Sequence, residues 1–441
     1  MKNITRITVI VFLLIGITGI NQSCKKILSP PDLSTLFISD VTQTSALSRS
    51  LVRDDGGAEV SARGICWSTS PNPTTSSNKT EDGTGSGSYY SVLEGLTVNT
   101  TYYARAYAVN SEGTNYGNEL SFTTALPTSG IRKSDIPGDT RYGSTSFSVG
   151  NKIYLALGLG SEMDSHRDFW EWDQGTNVWA KKADYPGGSG SGAVGFSIGT
   201  KGYIGTGRTA SGELTNEFWE YDPETDRWTQ KASLPVNAAR TDAAGFSIGD
   251  KGYIGTGYII ISDYMDNSND FWEYDPAADK WTEKASLPVS AARGDAVGFS
   301  IGTKGYIGTG IYTDALGGYA LRDFWEWDQE TDSWTRKADF GGLSRGGATA
   351  FSIDVKGYIG TGIAFQDDGN INYARDFWEW DQATNTWTRL ADFEGKGRID
   401  AIGVSIEDKG YIGTGITDSA WGIVLNDFWE FDPLSPDATS D

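Results

Sequence analysis

The chain has 441 residues, a formal net charge of −22, 56 glycines, 13 prolines, 16 tryptophans and a single histidine. That length predicts two or more domains, and the acidity excludes nucleic acid as a partner, because an acidic surface gains nothing from counterion release. Abundant glycine and aromatic residues predict an all-β chain of short strands and turns, while one histidine and two cysteines leave no structural zinc site and no disulfide framework.

At the N-terminus, Lys2 and Arg6 flank the start of an apolar run from Ile7 to Ile20, and Asn-Gln-Ser-Cys follows, ending at Cys24. The run is short for a membrane span and stands where an export signal stands. Residues 1–23 resemble a bacterial lipoprotein signal. The resemblance implies a lipid on Cys24, membrane attachment through it and a place in the bacterial cell envelope; the other reading is a secreted protein. Residues 24–33 read as a tether.

Residues 34–125 alternate strand-like runs, such as Ala62–Ser68 and Thr101–Asn110, with turn clusters at Asp54 and Thr69. An early Trp67, and Leu96 followed by Tyr102, resemble a fibronectin type III-like β-sandwich with its tyrosine corner. The stretch from Leu36 to Ser50 is a poor match to that family's first strand. Cys66, Trp67 and Tyr102 read as core.

Residues 126–441 are built from repeats. Lys-Gly-Tyr-Ile-Gly-Thr-Gly begins at Lys201, Lys251, Lys304, Lys356 and Lys409. Asp/Glu-Phe-Trp-Glu begins at Asp168, Glu217, Asp270, Asp323, Asp376 and Asp427, about every fifty residues. Between these phrases Trp179, Trp228, Trp281, Trp334 and Trp387 each open a further strand. Four strands per unit resemble a kelch repeat, which implies a six-bladed β-propeller. The sixth unit lacks its tryptophan strand, and an orphan segment from Gly130 aligns with that strand through Lys133 and Pro137. The segment is therefore expected to close the ring.

In such a meander the uniform 1–2 and 3–4 turns share one face, and the varied 2–3 loops share the other with the 4–1 connections. Varied loops are where binding is expected. Arg141, Arg240, Arg293, Arg345 and Arg398 begin successive inner strands, with Gly190 in register in the second unit. Arginines at this blade position contact ligand carboxylates in kelch proteins that bind acidic peptides, so the resemblance implies an acidic glycan or acidic protein segment as partner. Asp242, Asp295 and Asp400 follow two residues later and are the alternative partners of three arginines. Tyr264, Tyr319, Tyr373 and Trp421 are surplus loop aromatics, suited to sugar faces. The sixfold glutamates of Phe-Trp-Glu read as partners of repeated lysines such as Lys182 and Lys231.

Kelch propellers also resemble the central domain of galactose oxidase, but the propeller holds one histidine, His166, and no cysteine, which excludes copper-radical chemistry. His166 reads as a surface loop residue. No cofactor, no metal and no catalytic constellation is named. The leading reading is a cell-envelope ligand-binding protein. The alternatives are a cofactor-independent sialic acid-type epimerase or isomerase, as some periplasmic kelch propellers are, and a structural scaffold.

Overall fold

The computed structural model of the chain describes residues 28–124, 128–188, 190–262, 264–314, 317–366, 369–417 and 422–433. Cys24 and Trp421 lie outside these residues. The described part is strands and turns, with two short 3-10 turns at Val236–Ala238 and Val289–Ala291. The chain divides into two compact units, 1–126 and 127–441.

The first unit holds two sheets. One pairs Asp32–Ser39 with Ala46–Asp54 and Ala46–Asp54 with Gly87–Leu93. The other runs Asn78–Lys79, Ala62–Ser68, Thr101–Asn110 and Gly113–Tyr116, with Leu120–Thr123 also on Thr101–Asn110. The stretch that matches poorly as one strand is an antiparallel pair. A turn separates its strands, with the Thr42 amide donating to the Ser45 carbonyl at 2.8 Å. Ile65, Trp67, Leu96 and Tyr102 share a buried cluster, and the Thr97 N–H donates to the Tyr102 hydroxyl at 3.0 Å. Cys66 is free and buried, and burial pushes its thiol up to about 11 against the pull of Arg105.

The second unit contains six four-stranded antiparallel sheets among the described residues. The inner strands are Thr145–Val149, Val194–Ile198, Ala244–Ile248, Val297–Ile301, Thr349–Ile353 and Ile402–Ile406. Each lies beside the next, and the first lies beside the sixth, so they form a ring. We number the blades in that order. The outer strand of blade 6 is Ile131–Arg132, which pairs antiparallel with Phe428–Phe431 through Ile131–Glu430 and Arg132–Trp429. The two ends of the repeat region are thereby joined in one sheet.

The heptapeptide supplies most of the blade's internal wiring. In blade 2 its lysine, Lys201, pairs with Asp222 at 2.6 Å. A Cβ on Gly202 would lie 1.9 Å from the Phe147 ring of blade 1, so glycine leaves the slot into which the neighbouring blade inserts a phenylalanine. Phe196, Phe246, Phe299 and Phe351 fill the slots at Gly252, Gly305, Gly357 and Gly410 in the same way. Burying one such ring contributes about 2 kcal/mol. The tyrosine donates to the glutamate of Phe-Trp-Glu: Tyr203 to Glu220 at 2.7 Å and Tyr306 to Glu326 at 2.8 Å. Repeated lysines stand beyond, Lys231 at 3.8 Å from Glu220 and Lys337 at 3.4 Å from Glu326. The sixfold glutamates are thus occupied structurally.

Candidate functional site

The five framework arginines are buried in the propeller wall, 0–1% exposed. Each pairs with the aspartate that opens Phe-Trp in its own blade. Arg240 forks onto Asp270 with two contacts of 2.7 Å, and Arg345 onto Asp376 with two of 2.8 Å. Arg141 pairs with Asp168, Arg293 with Asp323 and Arg398 with Asp427. The remaining guanidinium donors meet main-chain carbonyls: Arg240 donates to Ala238 and Thr256, both at 2.9 Å. Thr256 has φ +61, and its counterparts in Gly-Thr-Gly share that left-handed backbone. A β-branched residue is strained there, and the arginine holds its carbonyl in place. Burial pushes the Asp270 carboxyl up, but the Arg240 fork outweighs it and keeps the group below its ordinary value.

These pairings correct the expectation that Arg141, Arg240, Arg293, Arg345 and Arg398 line a ligand-binding mouth. They also correct the alternative that Asp242, Asp295 and Asp400 neutralise three of them. Blade 2 carries the signal that could have revealed the true partner. It lacks the arginine, having Gly190, and it alone has Glu217 in place of the aspartate.

The aspartates freed from that role surround the axis. Gly143, Gly192, Asp242, Asp295, Gly347 and Asp400 occupy one equivalent position just before the inner strands. Each has positive φ, between Asp295 at 51 and Gly192 at 67. Their backbones close a ring of hydrogen bonds. Gly192 N–H donates to Gly143, Asp242 to Gly192, Asp295 to Asp242, Gly347 to Asp295, Asp400 to Gly347 and Gly143 to Asp400, with 2.9 Å for Asp242 to Gly192 and 3.0 Å for Gly143 to Asp400. This ring lines a cavity of about 160 Å³, continuous with small-residue layers deeper along the axis.

Left-handed backbone favours glycine, with aspartate tolerated. Gly143, Gly192 and Gly347 show that the ring closes without a side chain, so the fold does not require the three carboxylates. Those of Asp242 and Asp400 lean over the glycine of the preceding blade: a Cβ on Gly192 would lie 2.4 Å from Asp242 Oδ1, and one on Gly347 would lie 2.7 Å from Asp400 Oδ1. Thr241 donates to Asp242 at 3.1 Å and Tyr258 to Asp295 at 2.9 Å. Burial raises all three carboxyls. Asp400 is pushed up to about 7 by burial and by the charge of Asp242. Asp295 is held well above the ordinary range by burial, Asp242 and Asp400. Asp242 is raised by burial, with the nearby Arg208 opposing. Arg208 stands on the 2–3 connection of blade 2, half-exposed, and makes no ion pair among the described residues. Sequence reading missed it because it falls outside the repeat.

Around the mouth the 2–3 connections rise as hairpins. Tyr258–Ile261 pairs with Tyr264–Asn267, Ile311–Asp314 with Gly317–Ala320, and Ile363–Phe365 with Ile371–Tyr373. Tyr264 is 78% exposed and Tyr319 is 53% exposed, stacked against Tyr312 with centroids 5.3 Å apart. Tyr373 is half-buried. These three tyrosines stand on three separate hairpins, whereas the aspartates converge on one ring.

No family model matches the chain. Among known proteins, the N-acetylneuraminate epimerase of Haemophilus influenzae strain PittEE is 29% identical over 126 residues, which is 29% of this chain and 32% of that protein. The N-acetylneuraminate epimerase of strain 86-028NP matches to the same extent. The matching stretch is about a third of the length of these relatives. The solved structure of YjhT superposes with a TM-score of 0.56 at 17% identity, over 68% of this chain and 97% of that one. The propeller is kelch-like. At that identity the likeness to YjhT is one of fold.

Proposed function

We propose that the propeller is a cofactor-independent sugar epimerase or isomerase acting on a sialic acid-type substrate at the axial mouth. The carrying observation is the convergence of Asp242, Asp295 and Asp400 on one ring, with pKa values raised by burial, where the fold does not need them. The local similarity to N-acetylneuraminate epimerases supports the same substrate class. Interconversion of anomers without net oxidation needs one group to take the proton of the anomeric hydroxyl while another protonates the ring oxygen, so that the ring C–O bond breaks to an open-chain ketone; closure on the other face of the carbonyl reverses both transfers. Carboxyls held above their ordinary range by burial suit both roles. In this reading Asp295, held well above the ordinary carboxyl range, serves as acid, and Asp400, pushed up to about 7, serves as base. Arg208 is the cation available to a sugar carboxylate.

The test is to follow N-acetylneuraminate anomers by proton NMR with the purified protein. Wild type should accelerate their interconversion, and Asp400→Asn or Asp295→Asn should lower the rate by about 10²-fold or more. No acceleration over buffer would overturn the reading. Arg208→Gln should raise KM more than it lowers kcat.

A binding reading is favoured separately by the exposed tips of the hairpins, where Ile260, Ile261, Tyr264 and Tyr319 stand out in solvent. A glycan array would then return a ligand whose binding depends on Tyr264 and Tyr319 and not on Asp400. In either reading we place the protein in the bacterial cell envelope, anchored through lipid on Cys24, with residues 34–125 as a fibronectin type III-like module.

A further inference from the structure

His166, expected to be a surface loop residue, is 8% exposed, and its Nε2 has no hydrogen-bond partner. A buried imidazole nitrogen left without a partner is destabilising. The connection between the second and third strands of blade 1 turns tightly here. Gly160 N–H donates to the Asp164 carbonyl at 2.8 Å, Met163 N–H to Gly160 at 3.1 Å and His166 N–H to Gly158 at 3.1 Å. The turn sets Asp164 Oδ2 3.9 Å from His166 Nε2. A third group comes from the closing segment, where the Asp139 carbonyl accepts from Arg141 Nε at 3.3 Å. One carboxylate oxygen from Asp139, one from Asp164 and a ring nitrogen of His166 all lie within 4.8 Å of one another. A Cβ on Gly160 would stand 2.3 Å from Asp164 Oδ1 and 3.1 Å from His166 Nε2, so glycine keeps this space clear.

We propose that Asp139, Asp164 and His166 form a binding site for a first-row divalent cation of the zinc or manganese type. One imidazole with two carboxylates is a nitrogen–oxygen donor set for such ions, whereas calcium takes oxygen ligands alone. Ligand atoms about 2.0–2.2 Å from a metal stand about 3–3.5 Å apart, so the two exposed carboxylates need swing inward by only about 1 Å. Metal coordination satisfies the orphaned Nε2, and the exposed side leaves positions for water. Because Asp139 belongs to the closing segment and Asp164 and His166 to blade 1, a bound ion ties the two together. The site is separate from the axial carboxylates and does not depend on their role.

The chain contains one histidine, so NMR of histidine-labelled full-length protein reports on the surroundings of His166 alone. Zinc should shift the imidazole signals to saturation near one equivalent, manganese should broaden them, and calcium should leave them in place. Zinc should also raise Tm. The Asp139→Asn/Asp164→Asn double variant changes exposed side chains, and its fold is checked by near-ultraviolet circular dichroism. It should lose at least tenfold in zinc affinity. Imidazole signals that ignore zinc at millimolar concentration, respond equally to calcium, or respond unchanged in the double variant would overturn the site.

Discussion

Arg345 and Asp400 belong to opposite classes of charge. The Arg345 guanidinium is buried and forked onto Asp376, with Thr361 and Leu343 carbonyls taking its other donors. Arg345→Met leaves Asp376 uncompensated and should cost about 3–5 kcal/mol of stability, read by denaturant titration. Asp400 behaves the other way. Its folded value of about 7 stands above its ordinary 3.8, so between those pH values the folded chain keeps a proton that the unfolded chain has lost. Stability contributed by that proton falls as pH rises through the window. Asp400→Asn should therefore stabilise the protein at pH 8, on the order of 1–2 kcal/mol after discounting for its partly exposed position, and should change Tm little near pH 4. An equal Tm change at both pH values would contradict this account of Asp400. The arginines were legible as a repeated series but not in their role, because in blades 3, 4 and 6 two aspartates compete for them on paper. The paired departure of Gly190 and Glu217, and the arginines kept beside Gly143 and Gly347, separate the two.

Between elements, the glycine slot of each second strand is set by its neighbour's ring. Gly252→Ala would place a methyl 2.3 Å from the Phe196 ring and should destabilise by about 1–3 kcal/mol through overpacking. The seam between blades 6 and 1 exchanges the partners: Val404 stands where other blades have phenylalanine, and Ile153 where they have the glycine, both in one buried cluster. Val404→Phe and Ile153→Gly should each destabilise, and the double variant should recover at least about 1 kcal/mol relative to their sum, as neighbouring sites couple. Strict additivity would show that the two do not share the slot. The strands themselves were readable from the sequence because every blade repeats their pattern. Gly205 answers to its own blade, where an added Cβ would meet Phe218 of the paired third strand at 2.5 Å, but Gly202 answers to another blade and needed the packing to be seen.

For the whole molecule, closure rests on a short strand far from the rest of its blade in sequence. Ile131–Arg132 completes blade 6, Ile136 is buried in the seam cluster, and Trp179 of blade 1 donates to the Ser134 carbonyl at 2.9 Å. Deleting residues 128–138 should expose the edge of Phe428–Phe431 and yield aggregation or a large loss of cooperativity in thermal unfolding. A monomer of unchanged Tm would contradict the closure. The missing tryptophan of the sixth unit and the orphan segment at Gly130 made this part of the architecture readable. The axial carboxylates were not, since left-handed ring positions accept aspartate or glycine and only the assembled ring shows which side chains face one cavity. The central claim is that these carboxylates carry proton transfer at the mouth. The most direct measurement is the pH dependence of kcat/KM for N-acetylneuraminate interconversion in wild type and Asp400→Asn. The account predicts a rate that rises with pH through an inflection near 7 in wild type, and a loss of both rate and inflection in the variant. A profile unchanged by the substitution, or no turnover at any pH, would contradict it.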